Sequence, residues 1–447
     1  MNPTPVSVQG NSQPTGGFTT PQPVQPNASP TTLDELIANL TPAIAKFRAA
    51  SSPLSVALDT VAIANSAGSL ANFAGAEPAI RVPNVGLGYR IVREHNLTIT
   101  LDNTAASAVT INFGSRFPYD LISKSTLDIN GGGTPFSASG WGSLLALGRQ
   151  RPGFWKSSGD NAPGLSRALV RISASGGTLN ANTSGQWSAS GYQSVTVAAS
   201  TTCTLTVTFY TIEKLAKDRT GLIGALPLQN NSTYATLTTK ILGAITGTNA
   251  QFPLWVATTF PSTVTVGVPS YTISGRYKFW SVPSNQALFA EMVSNSYQIQ
   301  EASGVQIPAT GNDAFKYDLP QNCYFGAAHM QFVDGNGAFI AFDDISPLKV
   351  EYNAGSVIPV NEPQGTQRAE QYADYDGDLA NLPGYVLWDG DNTSESLLDT
   401  DDTGWINTYA VAKPQLVADV AGGVVTPALA TITREVLVVG SVVVVGG

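Results

Sequence analysis

Two cysteines, Cys203 and Cys323, and two histidines, His95 and His329, are the whole stock of thiols and imidazoles in a chain of 447 residues. They are too few and too far apart for a disulfide framework or a Cys/His zinc site of the usual spacing. His95 sits in Glu94-His95-Asn96 within a strand-like pattern, and His329 follows Ala327-Ala328. No motif surrounds either ring, so both are expected to make structural hydrogen bonds. Cys203 falls on the apolar face of an alternating run and Cys323 opens an aromatic one, positions that suit buried, inert thiols. Nucleophile elbows, Walker loops, H-E-x-x-H and G-x-G-x-x-G followed by an acid are all missing. No catalytic, cofactor-binding or metal-ligating residue is therefore expected, and the chain does not read as an enzyme.

One segment stands out in charge. Between Glu351 and Asp402 lie twelve acids and a single base, Arg368, a local charge of −11 in a chain whose total is −9. Asp374-Tyr375-Asp376-Gly377-Asp378 has the look of a calcium loop. An EF-hand, however, needs glycine at its sixth position and glutamate at its twelfth, where this chain has Leu379 and Tyr385. The segment is expected to be a solvated outer loop. Calcium binding and a glycosidase-type carboxylate pair are the alternatives, and nothing in the spacing positions the second.

The elements that would carry these residues follow from composition. Apolar side chains make up 43% of the chain but charged ones only 12%, about half the usual share, so the surface must be covered by Ser, Thr, Asn, Gln and Gly. A net charge of −9 with no basic run excludes direct nucleic-acid binding, which needs clustered Lys and Arg. No stretch reaches the roughly 18 apolar residues of a membrane span, since the Val-rich run Val436 to Val445 is broken by Gly440-Ser441. The start, Met1-Asn2-Pro3-Thr4-Pro5, lacks the basic and apolar regions of a signal peptide, and export by that route is not expected.

Along the chain, residues 1–31 hold seven prolines and no charged side chain, an extended arm that gains order only against a neighbour. Thr32-Leu33-Asp34-Glu35 is a capping box, and Leu33, Leu36, Ile37, Leu40, Ile44 and Phe47 continue it at helical spacing. Pro42 is expected to kink or end this helix. Its apolar face packs on its own domain or is lent to a neighbouring subunit or a membrane surface. Beyond residue 80 the period changes to two. Leu97, Ile99 and Leu101 alternate with threonines, as do Cys203, Leu205, Val207 and Phe209, and about ten similar runs separated by Gly, Pro, Asn or Asp read as strands. Helices are expected only at Trp141 to Leu147, Asn285 to Ser296 and Thr366 to Tyr372. The fold class is all-β: two tandem eight-stranded jelly rolls with a short N-terminal helix and an extended N-terminal arm. The expected divisions are the arm at 1–31, the helix and connector at 32–80, jelly roll 1 at 81–225, a linker at 226–233, and jelly roll 2 at 234–447 with acidic loops at 351–402.

Three short stretches carry a further signal. Pro83-Asn84-Val85-Gly86 enters the long run Tyr89 to Leu101. Ser139-Gly140-Trp141 opens the helical excursion, and Asp218-Arg219-Thr220-Gly221 is followed by Ala225 and Pro227. In this order and spacing they resemble the major capsid proteins of tectiviruses, the double jelly-roll lineage that includes adenovirus hexon, in which the third stretch lies between the two jelly rolls. The likeness covers residues 81 to about 240, and the acidic stretch has no counterpart in it. The resemblance implies a bacteriophage-type structural protein of the virion, made in the host cytoplasm. It implies homotrimers of hexagonal outline that tile an icosahedral shell over an internal membrane. Partners would be neighbouring trimers, penton or spike and minor capsid proteins, and the lipid membrane through the N-terminal region. The competing class is a carbohydrate-binding or carbohydrate-active β-sandwich protein.

Overall fold

The computed structural model describes residues 33–63, 77–130, 133–149, 168–173, 176–182, 188–217, 222–228, 234–256, 260–267, 270–282, 295–363, 365, 366, 369, 382, 384–390 and 405–439. The arm, Thr32 of the capping box, Asp218 to Gly221 and nine of the twelve acids of the acidic stretch, all but Glu351, Glu362 and Asp389, lie outside them.

Helix α1 (Leu33–Ala50) leads into strands β1 (Pro53–Ile63), β2 (Ala79–Val82), β3 (Leu87–Asn103), β4 (Val109–Phe113), β5 (Ile122–Ile129) and β6 (Gly133–Ala138). Helix α2 (Gly140–Gly148) precedes β7 (Ala168–Ile172), β8 (Gly177–Ala181), β9 (Tyr192–Val197), β10 (Thr201–Lys214), β11 (Leu226–Pro227) and β12 (Ala235–Ile241). Short strands β13 (Thr246–Gly247), β14 (Leu254–Trp255) and β15 (Val264–Val266) follow, then β16 (Ser270–Trp280). The rest of the chain forms β17 (Asn295–Ile307), β18 (Gly311–Asp318), β19 (Tyr324–Val333), β20 (Ile345–Tyr352), β21 (Val357–Glu362), β22 (Tyr385–Asp389), β23 (Ile406–Asn407), β24 (Gln415–Val420) and β25 (Ala428–Val439).

The long alternating runs pair as their patterns demand. Strand β10 runs antiparallel to β3 from Thr201↔Asn103 to Lys214↔Arg90. Leu97, Ile99, Leu101, Cys203, Leu205, Val207 and Phe209 are buried on one face while the threonines between them stay nearer the surface. A register slip of one residue would turn all of these outward, so the pairing is fixed.

From β17 onward the two sheets read β17-β25-β19-β22 and β18-β24-β20-β21. With the two-residue β23 set aside, that is the first, eighth, third and sixth strands facing the second, seventh, fourth and fifth, a jelly roll with two Greek keys. The earlier half repeats most of the plan. β2-β12-β5 matches the first three positions of one sheet and β3-β10-β7 those of the other. There, β6 folds back on β5 and takes the fourth place, while β4, β9 and β8 prolong β3, β10 and β7 into a separate small sheet.

The expected linker at 226–233 does not divide the two units. Strand β12 pairs with β2 and β5, and β16 pairs with β3 along its free edge. The first unit therefore runs to Trp280, because Leu237, Ile241, Ile273 and Tyr277 bury their side chains in its core. The expected connector at 32–80 also holds a strand: β1 adds to β16 as the outermost strand of that sheet. Asn295 and Ser296, assigned above to a helix, open β17, while residues 283–294 lie outside the description. Pro42 does not end α1, which runs on to Ala50 with Pro42 exposed. Ala43, Ile44 and Phe47 are buried, and Phe47 meets Trp280 edge-on at 6.4 Å, so the helix packs on its own chain.

Candidate functional site

The two barrels are fused at a seam. Strands β6 and β17 pair in parallel, Ile299 opposite Phe136, which joins one sheet of each barrel into a nine-stranded sheet. The second barrel's interior forms one apolar cluster with Phe315, Met330, Phe332 and Ile432. The other face of β25 carries Leu437 and Val439, which together with Tyr297 and Trp405 belong to the first barrel's core. The seam is thus as dry as an interior, and any charge in it needs a partner.

Glu435, on that same face of β25, is fully buried. Its Oε1 accepts from Arg149 Nε at 3.1 Å and His329 Nε2 at 2.9 Å, and its Oε2 from Lys214 Nζ at 3.4 Å and the Tyr297 hydroxyl. Arg149, just past the end of α2, also donates to Asp389 Oδ1 at 2.8 Å. Arg149 and Lys214 come from the first barrel, and the carboxylates of Glu435 and Asp389 come from the second, so the charges balance across the junction. Burial alone would raise the Glu435 carboxyl, but Arg149, Lys214 and the His329 hydrogen bond hold it well below the usual range. Burial outweighs Glu435 at His329 and pushes that ring below its ordinary value. The ring is neutral, donating from Nε2 to the ionised Glu435 and accepting at Nδ1 from the Tyr385 hydroxyl at 2.8 Å.

Helix α2 is the wedge of this seam. Ser139 caps it, its Oγ accepting from the Gly142 amide at 3.0 Å. The same hydroxyl donates to Glu301 Oε2 on β17 at 2.7 Å, and that oxygen also receives the Thr433 hydroxyl at 3.0 Å. A Cβ on Gly142 would lie 2.4 Å from Glu301 Oε2 and 2.5 Å from Thr433 Oγ1, so only glycine lets the helix come this close. The stretch Ser139-Gly140-Trp141 thus marks where one barrel lies on the other. Pro83-Asn84-Val85-Gly86 is the turn into β3: Gly86 has φ +64° and a side chain there would strike the Trp280 carbonyl at 2.3 Å. Of the third stretch only the flanks are described, and there Lys217 Nζ sits 5.1 Å from the Trp405 ring centre across the seam.

Among the described residues, the chemistry-bearing side chains singled out in the sequence are not brought together. His95 lies inside the first barrel, with Nδ1 2.5 Å from the Tyr271 hydroxyl and Nε2 2.8 Å from Thr211 Oγ1. Burial and then the Arg93 charge push it well below its ordinary value. Arg93 pairs with Glu213 and donates to Ser125 at 2.7 Å and to Thr239, which makes a second buried polar network. Cys203 and Cys323 are buried free thiols, both raised by burial. Of the acidic stretch, Asp389 and Glu351 are not solvated loop residues: the first pairs with Arg149 and the second is buried at the end of β20. Glu435 and Arg149 escaped the sequence reading. The available signal was an acid on the face of Leu437 and Val439 in the alternating run from Ile432 to Val439, beside Arg434, which in so weakly charged a chain implies a buried partner.

Among solved structures, the crystal structure of the major capsid protein of STIV matches with a TM-score of 0.50 at 14% identity over 85% of this chain and 97% of that one. The atomic structure of Sulfolobus turreted icosahedral virus matches with a TM-score of 0.53 at 14% identity, over 87% of this chain and 91% of that chain. No family model matches the chain, and no curated protein matches it significantly. At such identity the likeness establishes the fold, which is the double jelly roll.

Proposed function

We propose that the chain is the structural subunit of an icosahedral virus shell, a major capsid protein acting through its shape and not as an enzyme. The observation that carries this reading is the pair of barrels of nearly repeated strand order locked side by side, over a fold shared along most of its length with the capsid protein of STIV. Two similar barrels per subunit give a trimer six similar walls, the geometry that fills a hexagonal lattice. A surface rich in Thr and Asn lets such walls meet without burying unpaired charge. In this reading the subunit associates with itself as a homotrimer and with neighbouring trimers, resides in the virion after synthesis in the host cytoplasm, and meets minor or spike proteins through its loops. The arm at 1–31 faces an inner membrane and the acidic loops face outward. No observation favours the carbohydrate-binding alternative.

Sedimentation and negative-stain imaging of the purified chain test the proposal. Trimers of hexagonal outline that form sheets or closed particles are expected, and a stable monomer that binds glycans would overturn it.

A further inference from the structure

Three cations lie together on the outside of the first barrel. Lys278 of β16 stands directly opposite Arg90 of β3, so both side chains leave the sheet on one face, and Arg276, two residues along β16, shares that face. It is the outer face, because Ile91 and Tyr277, the next pair in the register, point into the barrel's core. Arg276 is exposed, and Arg90 and Lys278 are half-buried. On β1 their neighbours are Ser55, opposite Lys278, and Ala57, opposite Arg276, side chains too short to cover them. Like charges set directly opposite repel. The Arg90 charge, then burial and the Arg276 charge, push Lys278 below its ordinary value.

Among the described residues, none of these three cations makes an ion pair or a side-chain hydrogen bond. Glu94, the next acid along that face of β3, accepts from Asn96 Nδ2 at 2.8 Å and from the Tyr210 hydroxyl of β10 at 2.9 Å, so it is engaged on the other side. Asp59, exposed in the bulge of β1, pairs with none of the three. Lys214, opposite Arg90 on β10, is already matched by Glu435. Another cross-strand cation pair, Lys124 opposite Lys240, is built differently, with Glu77 Oε1 3.6 Å from Lys240 Nζ. In a chain of 23 bases and 32 acids, a cluster left without a counter-charge calls for an anion from outside. Two guanidinium forks and an ammonium match the several charged oxygens of a phosphate. We propose that Arg90, Arg276 and Lys278 bind a phosphate-type oxyanion on the outer face of the first barrel, supplied as free phosphate or by an anionic lipid headgroup. The bound anion relieves the repulsion between β3 and β16 and so stabilises the fold.

Calorimetric titration of the full chain, as it associates in solution, with inorganic phosphate at pH 7 tests the site. Flotation with phosphatidylcholine vesicles, with and without phosphatidylglycerol, separates the two sources. Saturable binding and a higher melting temperature are expected at low salt, where such pairs are least screened. Arg276→Ala with Lys278→Ala should weaken binding at least about tenfold, whereas Lys124→Ala with Lys240→Ala should leave it in place. Flotation that requires phosphatidylglycerol and is lost in the Arg276/Lys278 variant identifies the headgroup as the source, and phosphate binding without flotation identifies the free anion. Should that variant fail to fold, Arg276→Gln, at an exposed position, carries the same comparison. The proposal is overturned if neither probe binds, if binding is unchanged in the Arg276 variants, or if the Lys124/Lys240 variant loses it equally. Loss of self-association in the Arg276/Lys278 variant, with neither probe bound by the wild type, would overturn it in favour of a second copy facing these cations.

Discussion

Each buried histidine is fixed by two neighbours and kept neutral by its surroundings, which makes acid the natural stress for this molecule. His95 and His329 both bind protons less readily folded than unfolded. Stability is therefore lost as pH falls below the unfolded value of about 6.5, by up to about 1.4 kcal/mol per pH unit for each ring. Asp120 acts in the opposite sense: its raised pKa adds stability as pH falls through about 7. Between pH 5 and 6.5 two rings oppose one carboxyl, so denaturant melts should show stability falling with pH, less steeply in His329→Gln and more steeply in Asp120→Asn. A flat profile for the wild type would contradict this assignment. Glu435, whose folded pKa is depressed, contributes stability above its unfolded value that is lost only as pH falls further, through the folded one. Glu435→Gln leaves Lys214 buried without its counter-charge and Arg149 with Asp389 alone, and equilibrium unfolding at pH 7 should show a loss of about 3–5 kcal/mol.

Helix α2 matters more than its nine residues suggest, because both of its ends are tied to the second barrel. Gly142→Ala forces a methyl group against Glu301 and Thr433, an overpacking that should cost about 1–3 kcal/mol. Ser139→Ala removes the cap, at about 1 kcal/mol, and takes a donor from Glu301 as well. If the seam sets the angle between the barrels, melting temperature and assembly should fall together in Gly142→Ala, and normal particles from a destabilised variant would separate the two. At the other end of the chain, α1 is held through Phe47, so Phe47→Ala should loosen α1 from Trp280 and leave the barrels folded, which protease sensitivity at 33–50 with unchanged near-ultraviolet circular dichroism would show.

The molecule as a whole should melt as one unit. Leu437, Val439, Tyr297 and Trp405 of the second barrel are buried in the first barrel's core, so cutting the chain between the barrels exposes a large apolar face on each. Calorimetry should give a single transition, and residues 295–447 expressed alone should aggregate, whereas a soluble, folded fragment would show the barrels to be independent. The arm is a different case. Deleting residues 1–31 should leave trimers with nearly unchanged melting temperature yet impair closed particles, and normal assembly of the truncated chain would remove the arm from the proposed shell contacts.

Period-two runs such as Leu97 to Leu101 and Cys203 to Phe209 determined by themselves that the chain is built of half-buried strands, because the alternation of side chains along a strand is a local property. The low charge and the missing motifs likewise gave the character of the surface without any coordinates. Where one barrel ends could not be read that way: β12 and β16 carry the same alternation whichever barrel they join, and only their registers with β5 and β3 assign them to the first. The same holds for the seam. Arg149 and Glu435 stand 286 positions apart, and their pairing at 3.1 Å exists only because the folded sheets bring the end of α2 onto β25. Hydrophobic period is written residue by residue, whereas the compensation of a buried charge is a property of the space the whole chain encloses.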